Sequence, residues 1–519
     1  MTRPGKAAAA SLLAVTLMGT CAGTATASDV VPDPVRDWQR TEVSPGVTLY
    51  QGEVQGRPGA DFWTVTVQFA APNGPQQLGA EPDARAAAER LRASGFEPRV
   101  ERVDWPSGVD VAPGPVGWRV RAGGFGGRDQ AAELERQVDA AGFDAITEWT
   151  GADAMPGTGI ARTSVAIIDP ARFDGELTAS YGNFVAGREK LTDMSAQRDA
   201  TLGINAGFFV VEDKDGLPGA PAGIGVYDGQ LQSAATNGRV ALVLDGNGMR
   251  PRIAKLSTEI VASARGQQLV VDGINRIPGR IRNCGGLGGD SPTERPQHDV
   301  TCTDPDELVL FTDELGASTP AGDGVEAVRD ATGRVVEVRP AGGPVPPGGT
   351  VVQGVGEAAN WLTANARPGE PLLVDQQIRD ERGAPVHFGP NDDVVNGGPQ
   401  LVRDGQVQMN LQEDGIIRDG DRSIAYTWGL KRNPRSIIGV DARGRIILAT
   451  TDGRQPGFSD GWGLQEAAEF IRSMGAVDAM ALDGGGSAGM VVDGQLVTNP
   501  SDATGERAIG DALLLLPRR

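Results

Sequence analysis

Two stretches near the start of the chain repeat one order of elements, and this repeat limits the fold more than any other feature. The predicted elements are a strand, a helix and a strand at residues 62–69, 84–94 and 96–103, and again at 118–122, 128–141 and 143–149. The strands alternate apolar and polar residues, whereas the helices carry an apolar stripe and stop at Gly95 and Gly142. Corresponding helical positions lie 47 residues apart. The repeat predicts a β-α-β-β-α-β module of one sheet and two helices at residues 61–150.

The second unit of this module carries the sequence WRVRAGGF at residues 118–125, followed by a helix that begins near Arg128. The glycine spacing is wrong for a dinucleotide-binding loop. The pattern resembles the sporulation-related repeat (SPOR) domain, which implies that residues 61–150 bind the glycan strands of peptidoglycan. Trp63 and Trp118 are suited to stack on sugar rings, although the same side chains could fill the core. A small module with a purely structural role is the alternative.

The first 27 residues have the composition of an export signal. Arg3 and Lys6 supply the positive start, an apolar run follows, and small residues allow cleavage by signal peptidase near Ala27. A membrane anchor would need about 18 to 20 continuous apolar residues, and Gly19 interrupts the run too early. No later stretch is long and apolar enough to span a bilayer. The sequence therefore predicts a secreted or cell-wall-associated protein without integral membrane contact.

The net charge argues against nucleic acid as a partner. The 48 Lys and Arg residues against 68 Asp and Glu give a net charge of −20, so no general attraction to DNA or RNA is expected. The 2 His and 3 Cys exclude a His-rich metal centre, an iron–sulfur cluster and a Cys₄ zinc site. Removing residues 1–27 takes away Cys21 and leaves Cys284 and Cys302. One pair of cysteines in an exported chain predicts a disulfide across a loop.

The longer remainder of the chain, residues 151–519, mixes strand-like runs with a few helices and shows no long series of β-α-β units. This layout predicts a mixed α+β domain. The expected fold class is therefore α+β, with the β-α-β-β-α-β module joined to a larger mixed α+β domain. The order of the domains is a signal at 1–27, an N-terminal segment at 28–60, the module at 61–150 and the large domain.

A glycine-rich loop near the C-terminus carries the strongest chemical signal. A predicted strand at 477–482 ends in the run DGGGS at 483–487. An Asp at the end of a buried strand, followed by glycines, places a carboxylate in a cleft and lets a ligand approach bare backbone. The loop lacks the Lys of nucleotide phosphate cradles and the spaced oxygen ligands of calcium loops. Taken alone, it could equally be a tight turn without activity.

Six short motifs occur in an order that resembles the phosphodiester glycosidase family. They are INAGFF at 204–209, NGGP at 396–399, NPRSIIG at 433–439, DGR at 452–454, LDGGGS at 482–487 and ER at 506–507. The resemblance extends roughly from Arg162 to Pro517. Residues 43–50 also look like the opening strand of that family, so the module could be an insertion in the large domain. The resemblance implies hydrolysis of the glycosidic bond of a sugar-1-phosphodiester.

This reaction needs a carboxylate to activate water or attack the anomeric carbon, and cations to hold the phosphate. Asp483 is the first candidate for the carboxylate and Asp452 is the second. The candidate substrate-binding residues are Asn205, Asn396, Arg435, Arg454, Gly484, Gly485, Gly486, Ser487, Glu506 and Arg507. The Asn side chains suit sugar hydroxyls or the phosphate, and the Arg side chains suit phosphate oxygens. For each Arg, a structural ion pair is the alternative.

Two hypotheses about function follow. The favoured one is a secreted hydrolase that cleaves a sugar-1-phosphodiester in a cell-wall or exopolysaccharide glycan and is held on peptidoglycan by residues 61–150. The alternative is a non-catalytic protein of the wall that binds peptidoglycan or another glycan. The sequence requires no cofactor, and it leaves a calcium requirement open.

Overall fold

A computed structural model of the chain describes residues 32–55, 61–71, 74–153, 159–284, 296–418, 420–422 and 424–518. The predicted export signal at 1–27 lies outside these residues, as do residues 285–295 of the loop between the two cysteines. From Pro32 onward the described residues belong to one unit.

Two strands and then the repeat module open the described chain. The strands are β1 (Gln39–Ser44) and β2 (Val47–Gln55). The module consists of β3 (Trp63–Val67), α1 (Glu81–Ala93), β4 (Pro98–Asp104), β5 (Pro115–Phe125), α2 (Arg128–Ala140) and β6 (Ala145–Trp149). All six predicted elements are present, with ends shifted by a few residues. The predicted β-α-β-β-α-β module is therefore confirmed.

Both helices of the module pack on one face of its antiparallel sheet, which has the strand order β4-β5-β3-β6. Val65 and Val120 of the sheet form one buried cluster with Ala84, Leu91 and Val138 of the helices. These helical residues belong to the apolar stripes that the sequence shows. Burial of the stripes against the sheet removes apolar surface from water and holds the helices in place.

The module connects two neighbouring strands of a larger sheet. β2 pairs antiparallel with β7 (Ile160–Ile168), so that Val47 lies opposite Ile168. β1 and β2 form a hairpin whose turn contains Gly46 with a φ of 84°, a conformation that glycine adopts readily. Residues 43–50, expected as one strand, therefore contain this turn. The chain segments on either side of the module meet in one sheet.

The first half of the large domain consists mostly of short strands. After β7, its elements are β8 (Gly175–Ser180), β9 (Glu189–Lys190), α3 (Leu191–Gln197), β10 (Leu202–Asn205), β11 (Gly225–Tyr227), β12 (Gln230–Ser233), β13 (Val240–Leu244), β14 (Arg252–Ala264), β15 (Gln267–Val270), β16 (Gly273–Ile274), β17 (Arg280–Arg282) and β18 (Thr301–Thr303).

The second half adds two further α-helices and a π-helical turn. Its elements are β19 (Leu308–Thr312), β20 (Val325–Arg329), β21 (Val335–Pro340), β22 (Thr350–Gly354), α4 (Gly356–Asn365), β23 (Leu373–Asp380), β24 (Pro385–Val386), β25 (Asp393–Asn396), β26 (Gln400–Arg403), β27 (Gln406–Val407), the π-helical turn Ala425–Leu430, β28 (Arg435–Asp441), β29 (Ile446–Thr451), α5 (Leu464–Ser473), β30 (Ala476–Ala481), β31 (Met490–Val492), β32 (Gln495–Leu496), β33 (Ala508–Ile509) and β34 (Ala512–Pro517). Short strands around a few helices confirm the predicted mixed α+β class.

Two large sheets enclose the main core of this domain. The first has the order β1-β2-β7-β29-β28-β30-β26-β27, and the second runs β12-β11-β25-β13-β14-β23-β24, with β15 beside β14. Ile438, Leu448 and Met480 of the first sheet share a buried cluster with Leu242 and Val395 of the second. A sheet of order β32-β31-β10-β34-β8 contributes to the same cluster. The core therefore lies between these sheets.

One edge of the first sheet gathers the ends of three strands that carry predicted motifs. β28 begins at Arg435, and its antiparallel neighbours β29 and β30 end at Thr451 and Ala481. Because antiparallel neighbours alternate in direction, the start of β28 lies beside the ends of the other two. The motifs that contain Arg435, Asp452 and Asp483 therefore meet at this edge.

The predicted disulfide is confirmed, because Cys284 is bonded to Cys302 with their Cα atoms 5.9 Å apart. Cys284 lies two residues after the end of β17, and Cys302 lies within β18. Within the described ranges, no helix is both long enough and apolar enough to cross a membrane.

Candidate active site

Asp483 lies just after β30, at the start of the glycine-rich loop. Its backbone N–H donates to the carbonyl oxygen of Ala206 at 2.8 Å, and its own carbonyl accepts from Asn205 Nδ2 at 2.7 Å. The Oδ1 atom of its side chain accepts from the N–H of Gly484 at 2.8 Å. These hydrogen bonds hold both the backbone and the carboxylate of Asp483 at the edge of the sheet.

Burial raises the pKa of Asp483 to about 6, although the Ser487 hydroxyl, the Gly484 N–H and the charge of Arg507 favour the ionised form. The residue is only part-buried, so solvent and ligands can reach it. A carboxylate with this pKa is ionised at pH 7 and is more basic than an ordinary aspartate. It can take a proton from water or attack an electrophilic carbon.

Arg435 begins β28 and is 1% exposed. Its Nε donates to the carbonyl oxygen of Trp462 at 3.0 Å, and its Nη2 donates to that of Trp428. Its Nη1 is buried and has no hydrogen-bond partner among the described residues. Burial and the charge of Arg454 lower the pKa of Arg435 to about 9. A buried donor without a partner is costly, and an anionic ligand oxygen would satisfy it.

Two of the three glycines in the loop make room for guanidinium groups. A Cβ on Gly485 would lie 3.0 Å from Nη2 of Arg454, and a Cβ on Gly486 would lie 2.2 Å from Nη2 of Arg507. Gly485 also has a φ of 64°, a backbone conformation that residues other than glycine rarely adopt. The sequence predicts that this backbone is left bare for a ligand. In the structure, the guanidinium groups of Arg454 and Arg507 pack against this backbone instead, which places two cations beside Asp483.

Arg507 and Arg454 are held by neighbouring polar groups. Arg507 donates through Nε and Nη2 to Asp502 at 2.7 and 3.0 Å. Arg454 donates through Nε to Asn433 Oδ1 at 2.9 Å. Burial of the guanidinium and the charge of Arg507 lower the pKa of Arg454. Together with Arg435, these cations outnumber the carboxylates that contact them, which favours an anionic ligand.

Asn205 and Asn396, predicted to contact the sugar or the phosphate, are buried and bonded to other parts of the protein. Asn205 Oδ1 accepts from the Ser436 hydroxyl at 2.6 Å and from the N–H of Gly489 at 3.0 Å. Asn396 accepts from the N–H of Phe208 at 2.9 Å and donates to its carbonyl oxygen at 3.2 Å. The structure therefore gives both amides a role in positioning loops.

Glu506 also makes contacts within the protein. Its carboxylate accepts from the backbone N–H of Thr192 at 2.9 Å and from the Thr192 hydroxyl at 2.7 Å. Thr192 lies in the first turn of α3, so Glu506 satisfies a free N–H at the start of that helix. Ser487 is buried and its hydroxyl bonds to Asp483. Ser487 therefore acts on the candidate carboxylate itself, whereas Glu506 anchors the segment that carries Arg507.

Asp452, the second candidate for the carboxylate, lies in different surroundings. Its Oδ1 accepts from the backbone N–H of Asn499 at 2.9 Å. Burial raises its pKa to about 6, and the cation that opposes this shift is Arg162 rather than Arg507. The hydrogen bond from Asn499 gives Asp452 a role in holding that loop in place. Of the two acids, Asp483 is the better placed for chemistry beside the arginines.

Asp511 is a buried acid near Asp483 that none of the six motifs contains. Its Oδ1 accepts from the N–H of Gly207 at 2.7 Å, and its Oδ2 accepts from the Tyr227 hydroxyl at 2.7 Å. Burial raises the pKa of Asp511 to about 6, and its charge contributes to the raised pKa of Asp483. In the sequence, Asp511 follows a glycine and directly precedes the last strand, a pattern too common to select one residue.

A second buried cluster, next to the Trp428 ring, is not predicted by any of the six motifs. Arg239 Nη2 lies 2.7 Å from Nδ1 of His298 and 3.5 Å from Oδ2 of Asp414. The rings of His298 and Trp428 are 4.7 Å apart, and Trp428 lies 4.7 Å from Cζ of Arg435. Burial raises the pKa of Asp414 to about 7 and lowers that of His298 well below its ordinary value. These residues come from separate loops, and no motif marks them.

Within the part of the chain that the structure describes, no group of three or more His, Cys, Asp or Glu side chains is placed to hold a metal ion. A cavity of about 880 Å³ lies along β14 and β23, and none of the predicted site residues lines it. The candidate site is therefore the sheet edge around Asp483 rather than this cavity.

Comparison with known proteins matches both parts of the chain. Residues 323–516 match the model of the phosphodiester glycosidase family, and residues 64–147 match that of the SPOR domain. The N-acetylglucosamine-1-phosphodiester alpha-N-acetylglucosaminidase of Mus musculus is 30% identical over 131 residues, 25% of this chain and 24% of that enzyme. The Homo sapiens enzyme is 31% identical over 110 residues, 21% of each. The chain thus spans about a quarter of the length of these relatives.

Solved structures extend the similarity over nearly the whole chain. A protein from Burkholderia pseudomallei that is described as exported is 33% identical, with a TM-score of 0.81 over 92% of this chain and 96% of that one. A hypothetical protein from Synechocystis shares the fold at 19% identity, with a TM-score of 0.53 over 93% of this chain and 76% of that one.

The fold and the site define a β-rich α+β domain that holds the Asp483 carboxylate among arginines, joined to a small module of one sheet and two helices. The chain belongs to the family of the Burkholderia pseudomallei protein, and it carries a phosphodiester glycosidase domain and a SPOR domain. Both resemblances seen in the sequence are confirmed. The matched glycosidase segment includes Asn396, Arg435, Asp483 and Arg507, whereas Asn205 lies before it.

Proposed function

We propose that this protein hydrolyses the glycosidic bond of a sugar-1-phosphodiester. The observation that carries the proposal is the glycine-rich loop, which sets the Asp483 carboxylate beside the guanidinium groups of Arg454 and Arg507 and next to Arg435. The match to the phosphodiester glycosidase family supports the same reaction, as do the relatives that are named for it.

The chemistry of such a substrate suits these residues. Water adds to the anomeric carbon, the bond from this carbon to the phosphate oxygen breaks, and a free sugar and a phosphate monoester are released. The leaving phosphate is a weakly basic anion, so a strong general acid matters less than in ordinary glycoside hydrolysis. Asp483 either attacks the anomeric carbon or takes a proton from the attacking water, and both roles need the ionised carboxylate.

The arginines account for recognition of the phosphate. Planar guanidinium groups donate to phosphate oxygens in pairs, and the buried Nη1 of Arg435 is a donor that has no partner among the described residues. Negative charge grows on the phosphate as the bond breaks. Cations already held in place stabilise this charge without reorganisation, which lowers the barrier.

The test is release of free reducing sugar from the methyl phosphodiester of N-acetylglucosamine-1-phosphate, the substrate class for which the relatives are named. We expect turnover by the wild type and a loss of about 10³-fold in Asp483→Asn. Asp478→Asn is the matched control, because Asp478 is also part-buried and lies toward the other end of β30. Equal activity in Asp483→Asn would remove the role of Asp483. A wild type that hydrolyses no sugar-1-phosphodiester would overturn the proposal.

The proposed substrate is a cell-wall or exopolysaccharide glycan outside the cytoplasm. The SPOR domain, the similarity to a protein described as exported and the disulfide between Cys284 and Cys302 support this setting. N-terminal sequencing of protein recovered from the medium and from the wall fraction tests it. We expect a new N-terminus near position 28, and an uncut chain found only in the cytoplasm would contradict the proposal.

Binding of peptidoglycan by the module is the second part of the proposal. Trp118 packs against the core between the sheet and the helices. Trp63 is part-exposed, 5.4 Å from Trp149, with Arg128 positioned over its ring at 5.9 Å. An accessible aromatic ring with a polar neighbour suits the face of a sugar. Trp63 is therefore the better candidate of the two for contact with a glycan.

Sedimentation of the full chain with purified peptidoglycan tests this contact. We expect Trp63→Ala to weaken binding by about 10-fold, the range of a lost ring contact. Trp361→Ala on α4, outside the module, is the control. Unchanged binding in Trp63→Ala would exclude this ring. Binding of peptidoglycan by a wild type that hydrolyses no phosphodiester would favour the alternative, a non-catalytic glycan-binding protein of the wall.

We propose no cofactor for the reaction, and calcium is the ion to test. Dialysis against EDTA is expected to leave the release of sugar unchanged, because the carboxylate and the arginines supply the charge that the reaction needs. Loss of activity that added calcium restores would overturn this part of the proposal.

A further inference from the structure

Residues 424–435, which we name the bridging segment, connect the SPOR module to the candidate site. The segment contains the π-helical turn Ala425–Leu430 and leads into β28 at Arg435. Its residues contact the module on one side and the site on the other. The bridging segment is therefore shared by the two parts of the protein.

Charged groups of the module hold the bridging segment. Arg119 Nη1 donates to the Tyr426 hydroxyl at 2.7 Å, and Lys431 Nζ donates to Glu148. Burial alone would raise the pKa of Glu148 and lower that of Lys431, but attraction between the two charges reverses both shifts. Both ionised forms are therefore favoured in the folded protein, and the ion pair holds Lys431 against the module.

Apolar contacts add to these charges. Leu78 and Val116 of the module share a buried cluster with Tyr426 and Leu430 of the bridging segment. Successive residues of a strand point to opposite faces, and Val120 packs with the helices. Its neighbour Arg119 therefore belongs to the other face of the sheet. The bridging segment covers part of this helix-free face.

The same segment positions two arginines of the site. The carbonyl oxygen of Trp428 accepts from Arg435 Nη2, and the Trp428 ring lies 4.7 Å from Cζ of Arg435. Asn433 accepts from Arg454 Nε at 2.9 Å and donates through Nδ2 to the carbonyl oxygen of Thr427 at 3.0 Å. The placement of Arg435 and Arg454 thus depends on the conformation of the bridging segment.

We propose that the SPOR module positions the phosphodiester site through the bridging segment, with Arg119 and Glu148 as positioning residues. The proposal rests on the proposed hydrolase function. A π-helical turn is a rare conformation that needs support from its surroundings, and it is found frequently at functional sites. Without the contacts to Tyr426 and Lys431, the turn relaxes and shifts the guanidinium groups. A misplacement of about 1 Å can cost about 10²-fold in rate.

The test uses Lys431→Met and Tyr426→Phe in the full chain. We expect kcat to fall by about 10-fold and about 3-fold, respectively, with KM changed by less than about 2-fold, because positioning acts mainly on the transition state. Lys431→Arg keeps the charge and is expected to restore most of kcat. Arg136→Met removes an exposed ion pair with Glu133 on α2 and serves as the control without effect.

Amide hydrogen exchange gives a second measurement that does not depend on activity. We expect faster exchange in residues 424–434 of both variants, with residues 436–441 of β28 and the module unchanged. With an active wild type, unchanged kcat in both variants overturns the proposal. If the wild type hydrolyses no phosphodiester, the proposed function fails separately, and unchanged exchange in residues 424–434 then overturns the positioning role. If Lys431→Met does not fold, the kcat and the amide exchange of Tyr426→Phe alone decide whether the proposal stands.

Discussion

Two clusters of buried charge in this protein differ in how completely their members are paired. Where the SPOR module meets the bridging segment, Arg121 and Lys431 face Glu148 and Asp153. Burial opposes the charge on each of these side chains, yet the attraction of their partners dominates. The pKa values of Glu148 and Asp153 are therefore lowered, and that of Lys431 is raised.

At the candidate site, the effect of burial on the pKa values outweighs the attraction between opposite charges. Burial raises the pKa of Asp483 to about 6 and lowers that of Arg435 to about 9, and the nearby opposite charges do not compensate. Arg435 also keeps a buried nitrogen without a partner among the described residues. Complete pairing is typical of a structural contact, whereas incomplete pairing leaves a site that an anionic ligand can complete.

Removal of one arginine from each cluster is expected to separate the two roles. Arg121→Met leaves Glu148 and Asp153 buried with fewer partners and should lower the free energy of unfolding by about 3–5 kcal/mol. Arg507→Met breaks a pair with Asp502 whose side chains are 32% and 26% exposed, which should cost about 1 kcal/mol or less. The rate of hydrolysis should instead fall by about 10²-fold in Arg507→Met.

Urea unfolding of the full chains, monitored by circular dichroism, measures the two stability losses, and release of reducing sugar measures the rates. Equal losses of stability in Arg121→Met and Arg507→Met would break the comparison, because both arginines would then be structural.

Gly486→Ala is expected to have a smaller effect on activity. The added Cβ would lie 2.2 Å from Nη2 of Arg507 and 2.5 Å from Oδ1 of Asp502, so this pair must move away from the loop. We expect about a 10-fold loss of activity from the displaced cation. Gly126→Ala in the module is the control, because its Cβ would meet nothing within 4 Å. Full activity in Gly486→Ala would show that the position of Arg507 does not matter to the reaction.

The smallest expected effect is a difference in how stability depends on pH. The folded-state pKa of Asp483, about 6, lies above the ordinary 3.8, so ionisation of Asp483 lowers stability as the pH rises through this interval. Asp483→Asn should therefore be more stable than the wild type at pH 7, by roughly 1–2 kcal/mol after allowance for partial exposure. The free energies of unfolding of the variant and the wild type should become equal near pH 3, where Asp483 is protonated in both the folded and the unfolded state.

Glu148→Gln should show the opposite sign. The pKa of Glu148 is lowered in the folded state, so its charge contributes stability above its unfolded pKa, and this contribution is lost as the pH falls. The variant should be less stable than the wild type at pH 7 and approach it in acid. Urea midpoints between pH 3 and 7.5 test both variants. Shifts of the same sign at pH 7 would contradict the distinction between the clusters.

Much of the fold was predictable because its signals are local. The apolar stripes that end at Gly95 and Gly142 predicted both helices of the module, and the runs at β28, β29 and β30 predicted the strands of the site. The hairpin of β1 and β2 was not predicted, although Pro45-Gly46 is a dipeptide typical of turns, because the whole run at 43–50 was assigned to one strand. The structure places the turn of the hairpin at this dipeptide, where Gly46 has a positive φ.

The candidate site was predictable in part. The motif around Asp483 correctly indicated a carboxylate at the end of a strand. The motifs predict that Asn205 and Asn396 contact the substrate, whereas in the structure both amides bond within the protein. A polar side chain in a motif does not reveal whether a ligand or the protein satisfies it. Asp414 and Trp428 carry no motif, and they reach the site only because distant loops fold together.

The sequence by itself determined the local elements, the cysteine pair and the loops that carry acids and arginines, because periodicity, glycine and cysteine spacing are recorded within short stretches of chain. Only the tertiary structure decided the partner of each charge. Arg119 and Tyr426 are 307 residues apart in sequence, and their hydrogen bond joins the module to the site. Attraction between charges depends on distance in space and on burial, so arginines that look alike in the sequence become structural in one cluster and available to a ligand in the other.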